Sequence, residues 1–199
     1  HGIDPTTILA VTFSKKAKES IEQRLGKLGV ANVNVETFHS LALKIITSTY
    51  GYGKYKVWTA SWEKEKALKE ICCDLLGLCR NKDDVPYNGI LRFLGIQKTN
   101  MLGSTDDLIY SDDDPYPDDR MKKIYKIYED YKKDKSYIEF DDFLNMANQC
   151  FDKFPDILKF YQNKYLYVLS DEFQDVSMAQ PLLLKRINNK EIKRAEDSL

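Results

Sequence analysis

The chain has 199 residues, 43% of them hydrophobic and 12% aromatic, which is enough for one good-sized domain with a substantial core. A formal net charge of -1 and a pI near 6.2 exclude a globally basic nucleic-acid binder, so any such contact must come from a local patch. No apolar run approaches the ~20 residues of a membrane span, the start HGIDPTT is not a signal peptide, and Cys72, Cys73, Cys79 and Cys150 lack paired zinc spacing. Along the chain, Ile8 to Phe13 (ILAVTF) reads as a short buried strand. Ser14 caps a helix with Ala17, Ile21, Leu25 and Leu28 at helical spacing, ended by Gly26 and Gly29. Val33 to Val35 is a second strand, and from Thr37 a second amphipathic helix carries Phe38, Leu41, Ala42, Ile45 and Ile46 on one side. This β-α-β-α order is the pattern of a parallel sheet.

After the Gly/Tyr loop at Tyr50 the pattern turns helical: Ser61 to Leu76, Pro86 to Gln97 and Pro117 to Lys133, with no convincing strand between them. Met121, Ile124, Tyr125, Tyr128 and Tyr131 recur at helical spacing and read as core rather than as stacking platforms. The acidic loop SDDDPYPDD lacks the central Gly of a calcium loop and carries Pro115 and Pro117, so a solvated loop is expected. Glu139 to Phe151 is a further helix with Phe140, Phe143, Leu144 and Ala147 inward. A short helix follows Pro155. The cysteines are expected as reduced core thiols, Asp141 and Asp142 as residues of a helix start, and the protein as cytoplasmic. Its Lys-, Ile-, Asn- and Tyr-leaning composition points to a bacterial source.

The segment with most chemical content is YLYVLSDEFQD, Tyr165 to Asp175, in which an apolar run stops at Asp171 and Glu172. A strand buried on both faces of a parallel sheet has this form, and ligands bind beyond the carboxyl ends of such strands. In phosphoryl transfer one carboxylate can hold Mg²⁺ through its water shell while a second orients the attacking water. Acids after a strand also cap helices, and Asp175 or Ser177 could serve so ahead of a last helix from Ser177 to Ile187.

Four segments in order, VTFSKKAKESI (Val11 to Ile21), VETFHSLALKI (Val35 to Ile45), IEFDDFLNMA (Ile138 to Ala147) and VLSDEFQDVSMAQ (Val168 to Gln180), together resemble the first motor domain of UvrD/Rep-type superfamily 1 DNA helicases. The resemblance implies an α/β fold, a RecA-like P-loop NTPase parallel sheet, incomplete here, with an inserted all-helical subdomain. Residues 1–47 and 136–199 would be the two parts of the motor domain and 48–135 the insertion. It implies ATP and Mg²⁺ as nucleotide and metal. Asp171 would hold the metal through water, Asp171 and Glu172 would bind the nucleotide, Glu172 would activate water, and Gln174 would sense the γ-phosphate or bridge to neighbouring motifs. Thr12, Phe13, Ser14, Lys15 and Lys16, with Thr37, Phe38, His39 and Ser40, would contact DNA: an aromatic face with phosphate donors suits single strands, and helix starts suit phosphate. The implied partners are single-stranded DNA, single/double-strand junctions and a second motor domain of the same parent chain. The implied parent is a helicase moving 3′ to 5′ in a process such as DNA repair. A helicase-nuclease, or a degenerate DNA-binding module without ATPase activity, shares these motifs.

None of the nine glycines sits in GxxxxGK[ST]: Gly26-Lys27 and Gly53-Lys54 are followed by Leu28 and Tyr55. The family places that loop upstream of ILAVTF and its arginine fingers downstream, so the chain is expected to be an excised piece with negligible ATP hydrolysis of its own. A turnover of about 1 per second or more, abolished by Glu172→Gln, is the result that overturns this expectation. The tail Asn188 to Leu199 is expected to lack a packing face.

Overall fold

The computed structural model describes residues 2–170 and 178–188. The chain divides into two compact units, one built from His1–Tyr52 with Phe143–Leu199, the other from Gly53–Asp142.

In the first unit, β1 (Ile8–Thr12), β2 (Asn34–Thr37) and β5 (Tyr167–Ser170) form a parallel sheet in the order β2-β1-β5. Between the strands lie α1 (Lys15–Lys27), α2 (Phe38–Tyr50), α6 (Phe140–Lys153, which begins at the end of the other unit) and α7 (Pro155–Lys164), and α8 (Ala179–Ile187) follows β5. Parallel strands need crossovers, and helices supply them. β1 is central and buried over Leu9 to Thr12. The apolar stripe of α2, Phe38, Leu41, Ala42, Ile45 and Ile46, is fully buried as its spacing predicts. Asn148 of α6 donates to the Ala179 carbonyl at the start of α8, 2.9 Å, and Arg186 of α8 donates back to the Asn148 carbonyl, 2.8 Å. Gln162 of α7 closes the set on the Arg186 carbonyl, 2.8 Å. Buried polar groups paired in this way fix the helices in one arrangement.

Three expectations change here. β5 is not buried on both faces: Val168 points inward while Tyr167 and Leu169 are nearly half exposed, the alternation of a strand with one packed face. Leu28 is exposed because it falls past the last turn of α1, and Phe140 of α6 is over half exposed.

The second unit is mainly helical, with α3 (Ser61–Lys69) continuing as a π-helical turn (Glu70–Leu75), then α4 (Tyr87–Thr99) and α5 (Asp118–Lys135). It also contains two short strands that periodicity does not show, β3 (Lys56–Val57) and β4 (Tyr137–Ile138), paired in parallel. Met121, Ile124, Tyr125 and Tyr128 of α5 are buried in the unit's core with Trp58, Leu68, Ile90 and Phe93. The Trp58 ring stacks on Tyr137 at 4.9 Å and on Tyr128 at 5.7 Å, and its indole N–H donates to Glu63, 2.8 Å. The acidic loop is solvated as expected at Asp112, Asp113, Asp118 and Asp119. Asp114 differs: it accepts from the Ser111 N–H, 2.8 Å, and its side chain is almost fully covered beside Arg92. Such local carboxylate bonds close turns.

Below Tyr128 lies a buried ionic cluster. Lys98 Nζ meets Glu139 at 2.8 Å, Asp142 at 2.9 Å and Glu129 at 3.2 Å. Lys132 Nζ meets Asp142 at 2.7 Å and Glu129 at 2.8 Å, and Lys64 meets Glu139 at 2.7 Å. Tyr128 donates its hydroxyl to Glu139, 3.0 Å, and the Glu139 N–H donates to Asp142, 2.7 Å. Three carboxylates therefore face three ammonium groups. Oxygens of Glu129, Glu139 and Asp142 lie within 4.8 Å of one another, but Lys98 and Lys132 already engage all three carboxylates, so the cluster reads as structural. Asp142 thus belongs to a helix start, as expected, and to a charge network that was not.

Candidate nucleic-acid interface

β1 and β2 run in a register that sets Thr12 opposite Thr37. Phe13 to Lys16 and Thr37 to Ser40 therefore leave the sheet side by side, at its carboxyl edge, and each opens a helix. At α1 the Ser14 hydroxyl accepts from the Ala17 N–H, 3.1 Å. At α2 a reciprocal cap forms: Ser40 N–H donates to Thr37 Oγ1, 3.2 Å, and Thr37 N–H donates to Ser40 Oγ, 2.9 Å. The hydroxyls assigned to phosphate on sequence grounds thus also close the first turns.

The two segments present different groups to solvent. Phe13 is 60% exposed, a large cost for an aromatic ring that faces water. Lys15 and Lys16 are exposed beside it. The 3.9 Å pair of Lys15 with Glu19 is solvent-accessible, and pairs of that kind hold a charge only weakly. Thr12 and Phe38, in contrast, are buried, and the Phe38 ring belongs to the core. His39 is partly exposed and sets its ring edge against Phe143 at 6.2 Å.

Behind the two helix starts sits Glu36, at the end of β2 and only 5% exposed. It accepts from Ser40 Oγ at 2.6 Å, from Lys18 of α1 at 3.2 Å, and from Lys44 of α2. Burial works to raise the Glu36 carboxyl, but the hydrogen bonds from Lys44, Ser40 and Lys18 outweigh it and hold it below its ordinary value. The bond to Glu36 likewise raises Lys44. One buried carboxylate therefore ties α1 to α2 and takes up the charge of Lys18, a member of the basic patch read from sequence. Lys15 and Lys16 stay directed to solvent. Glu36 was not singled out in the sequence. Its one signal there is a lone acid flanked by Val35 and Thr37 in a strand.

β5 pairs with β1 so that Val11 lies opposite Ser170, and the chain leaves β5 at the same carboxyl edge. Asp171, Glu172, Gln174 and Asp175 lie outside the described residues. The edge is where open parallel sheets bind their ligands.

The family model of the UvrD/REP helicase N-terminal domain matches residues 1–194. The chain belongs to this family. Among curated relatives, DNA helicase II of Rickettsia typhi is 34% identical over 185 residues, covering 89% of the chain and 28% of that protein. The ATP-dependent DNA helicase PcrA of Bacillus subtilis is 28% identical over 194 residues, 93% of the chain and 25% of its own length. PcrA of Staphylococcus aureus is 23% identical over 94% of the chain and 26% of its own length. The chain spans about a quarter of the length of these UvrD-type relatives. Among its described residues no helix is long and apolar enough to cross a membrane.

Proposed function

We propose that the chain is the larger part of the first RecA-like motor domain of an ATP-dependent DNA helicase, with residues 48–135 as its inserted helical subdomain and 1–47 with 136–199 as the motor portion. The parent translocates on single-stranded DNA, 3′ to 5′, and separates duplex at single/double-strand junctions. The observation that carries this reading is the side-by-side placement of Phe13–Lys16 and Thr37–Ser40 at one sheet edge, in a chain whose family is that of UvrD/REP helicases. Phe13 offers a ring for a base, and Lys15 and Lys16 offer charge for the backbone. His39 and the first turn of α2 serve the neighbouring phosphate. Glu36 positions both helix starts.

In the proposed site Asp171 would hold Mg²⁺ through its water shell, Asp171 and Glu172 would bind the nucleotide, Glu172 would orient the attacking water, and Gln174 would link nucleotide state to the DNA-facing edge. When bound, ATP would supply the phosphoryl group, and a second motor domain of the parent would add charge stabilisation. DNA repair in the bacterial cytoplasm is the setting this reading fits.

The test at the DNA edge is fluorescence anisotropy of a labelled single-stranded oligonucleotide with this chain across a salt series. Phe13→Ala is expected to weaken binding by about 1–3 kcal/mol, roughly 5- to 150-fold, with the salt slope kept. Changing Lys15 and Lys16 to glutamine is expected to lower the slope by about 0.7 for each phosphate that is no longer neutralised. Binding that ignores all three substitutions sinks the assignment of this edge to DNA.

A further inference from the structure

Cys73 and Cys79 stand apart from the other cysteines. The Cys73 thiol donates to Cys79 Sγ at 3.1 Å. Both side chains are partly exposed, unlike the fully buried Cys72 and Cys150. Cys73 lies in the π-helical turn and Cys79 in the loop that follows. The backbone turns back between them: Leu78 N–H donates to the Cys72 carbonyl, 2.8 Å, and Gly77 takes φ +60°, which only glycine adopts freely. The pairing is therefore set by the backbone and not by a side-chain rotation alone. Tyr116 brings its hydroxyl to 3.7 Å from Cys79 Sγ.

From this geometry we propose that Cys73 and Cys79 are a reversible modification site, a dithiol that closes to an intramolecular disulfide by exchange with a small-molecule disulfide. A disulfide needs its sulfurs at about 2.05 Å, so the pair must close by about 1 Å, within the reach of side-chain rotation. The Cys79 thiolate attacks one sulfur of the incoming disulfide, whose S–S bond breaks and whose other half leaves as a thiolate that takes a proton. Cys73 then gives up its proton, attacks the Cys79 sulfur and expels the second half as a thiol. One S–S bond is broken and one formed, and the two hydrogens of the protein thiols end on the two released thiols. Cys79 is the first attacker because burial and the hydrogen bond to Cys79 push the Cys73 thiol up. The bridge spans so few residues that it constrains the unfolded chain only modestly, which keeps it reducible. Closure would clamp the π turn to its following loop, at the margin of the core that holds Trp58 and Tyr128.

The test uses the whole chain, reduced, desalted, incubated folded with oxidised glutathione, and then alkylated in denaturant so that all remaining thiols react. All four cysteines are free at the start. The expected product has lost two hydrogens, accepts alkylation at two thiols instead of four, and under fragmentation resists cleavage between Cys73 and Cys79. Cys73→Ser is expected to stop at a glutathione adduct on Cys79, and reductant is expected to restore full alkylation of the wild-type chain. Four alkylatable thiols after oxidation of the folded wild-type chain, or a fragment map that places the bridge on Cys72, overturns the proposal.

Discussion

Lys98→Ala is expected to destabilise the helical unit by about 3–5 kcal/mol, the usual cost of removing one partner from a buried ion cluster. Lys98 is 5% exposed and contacts Glu139, Asp142 and Glu129 together, so its loss leaves three carboxylates facing only Lys132 and Lys64. Lys98→Met keeps most of the volume and is expected to cost nearly as much, which separates charge from packing. Urea unfolding followed by tryptophan fluorescence measures it. Trp58 is 2% exposed and stacked on Tyr128 beside the cluster, whereas Trp62 is 67% exposed and changes little on unfolding. A midpoint shift worth under about 1 kcal/mol at an unchanged m-value would show that the cluster is bystander charge.

Acid is expected to dismantle the same cluster in a window that the carboxylates set. Burial alone would raise Glu139, but Lys98 and Lys132, with hydrogen bonds from Lys64 and Lys98, bring it down to about 2 from an ordinary 4.5. Asp142 is likewise lowered against its burial by Lys98 and Lys132. Both acids are thus depressed in the folded state. Their stabilisation is complete above the unfolded values and is lost as pH falls from about 4.5 toward about 2. For Glu139 the difference amounts to roughly 3 kcal/mol. Lys98 is raised well above its usual value by Asp142, Glu129 and Glu139, despite burial, so it stays charged throughout that window. Near-ultraviolet circular dichroism of the Trp58–Tyr128–Tyr137 stack between pH 6 and pH 2 should show the loss. A signal flat to pH 2 would contradict the assigned charge states.

How much of this was legible in the sequence depends on how local the cause is. The strand in ILAVTF, Ser14 as a cap and the α2 stripe are decided within a few residues, and each forms as its pattern predicts, except that the strand ends at Thr12 and leaves Phe13 exposed. β3 and β4 are two residues long, too short for any period, and their partner lies across the entire helical unit. The ionic cluster was hidden for another reason. Lys132 follows Met121, Tyr125 and Tyr128 on the inward stripe of α5, a position normally read as apolar, and its counter-charges are Glu129, one turn earlier on the same helix, and Asp142, in the first turn of α6. That break in the stripe was the available signal. At the candidate site, Phe13, Lys15 and Lys16 were legible because they follow a strand end directly. Glu36 was not, since its meaning depends on Lys18 and Lys44 from two different helices.

The pairing of β3 with β4 has a topological consequence. Lys56 N–H donates to the Ser136 carbonyl and Trp58 N–H to the Ile138 carbonyl, so the polypeptide arrives at and departs from the helical unit on adjacent strands, about 4.8 Å apart. The whole unit is therefore carried between two neighbouring parallel strands, as one long crossover connection. Segments attached in this way can lengthen, shorten or be exchanged for another fold over evolutionary time while the connecting points stay where they are.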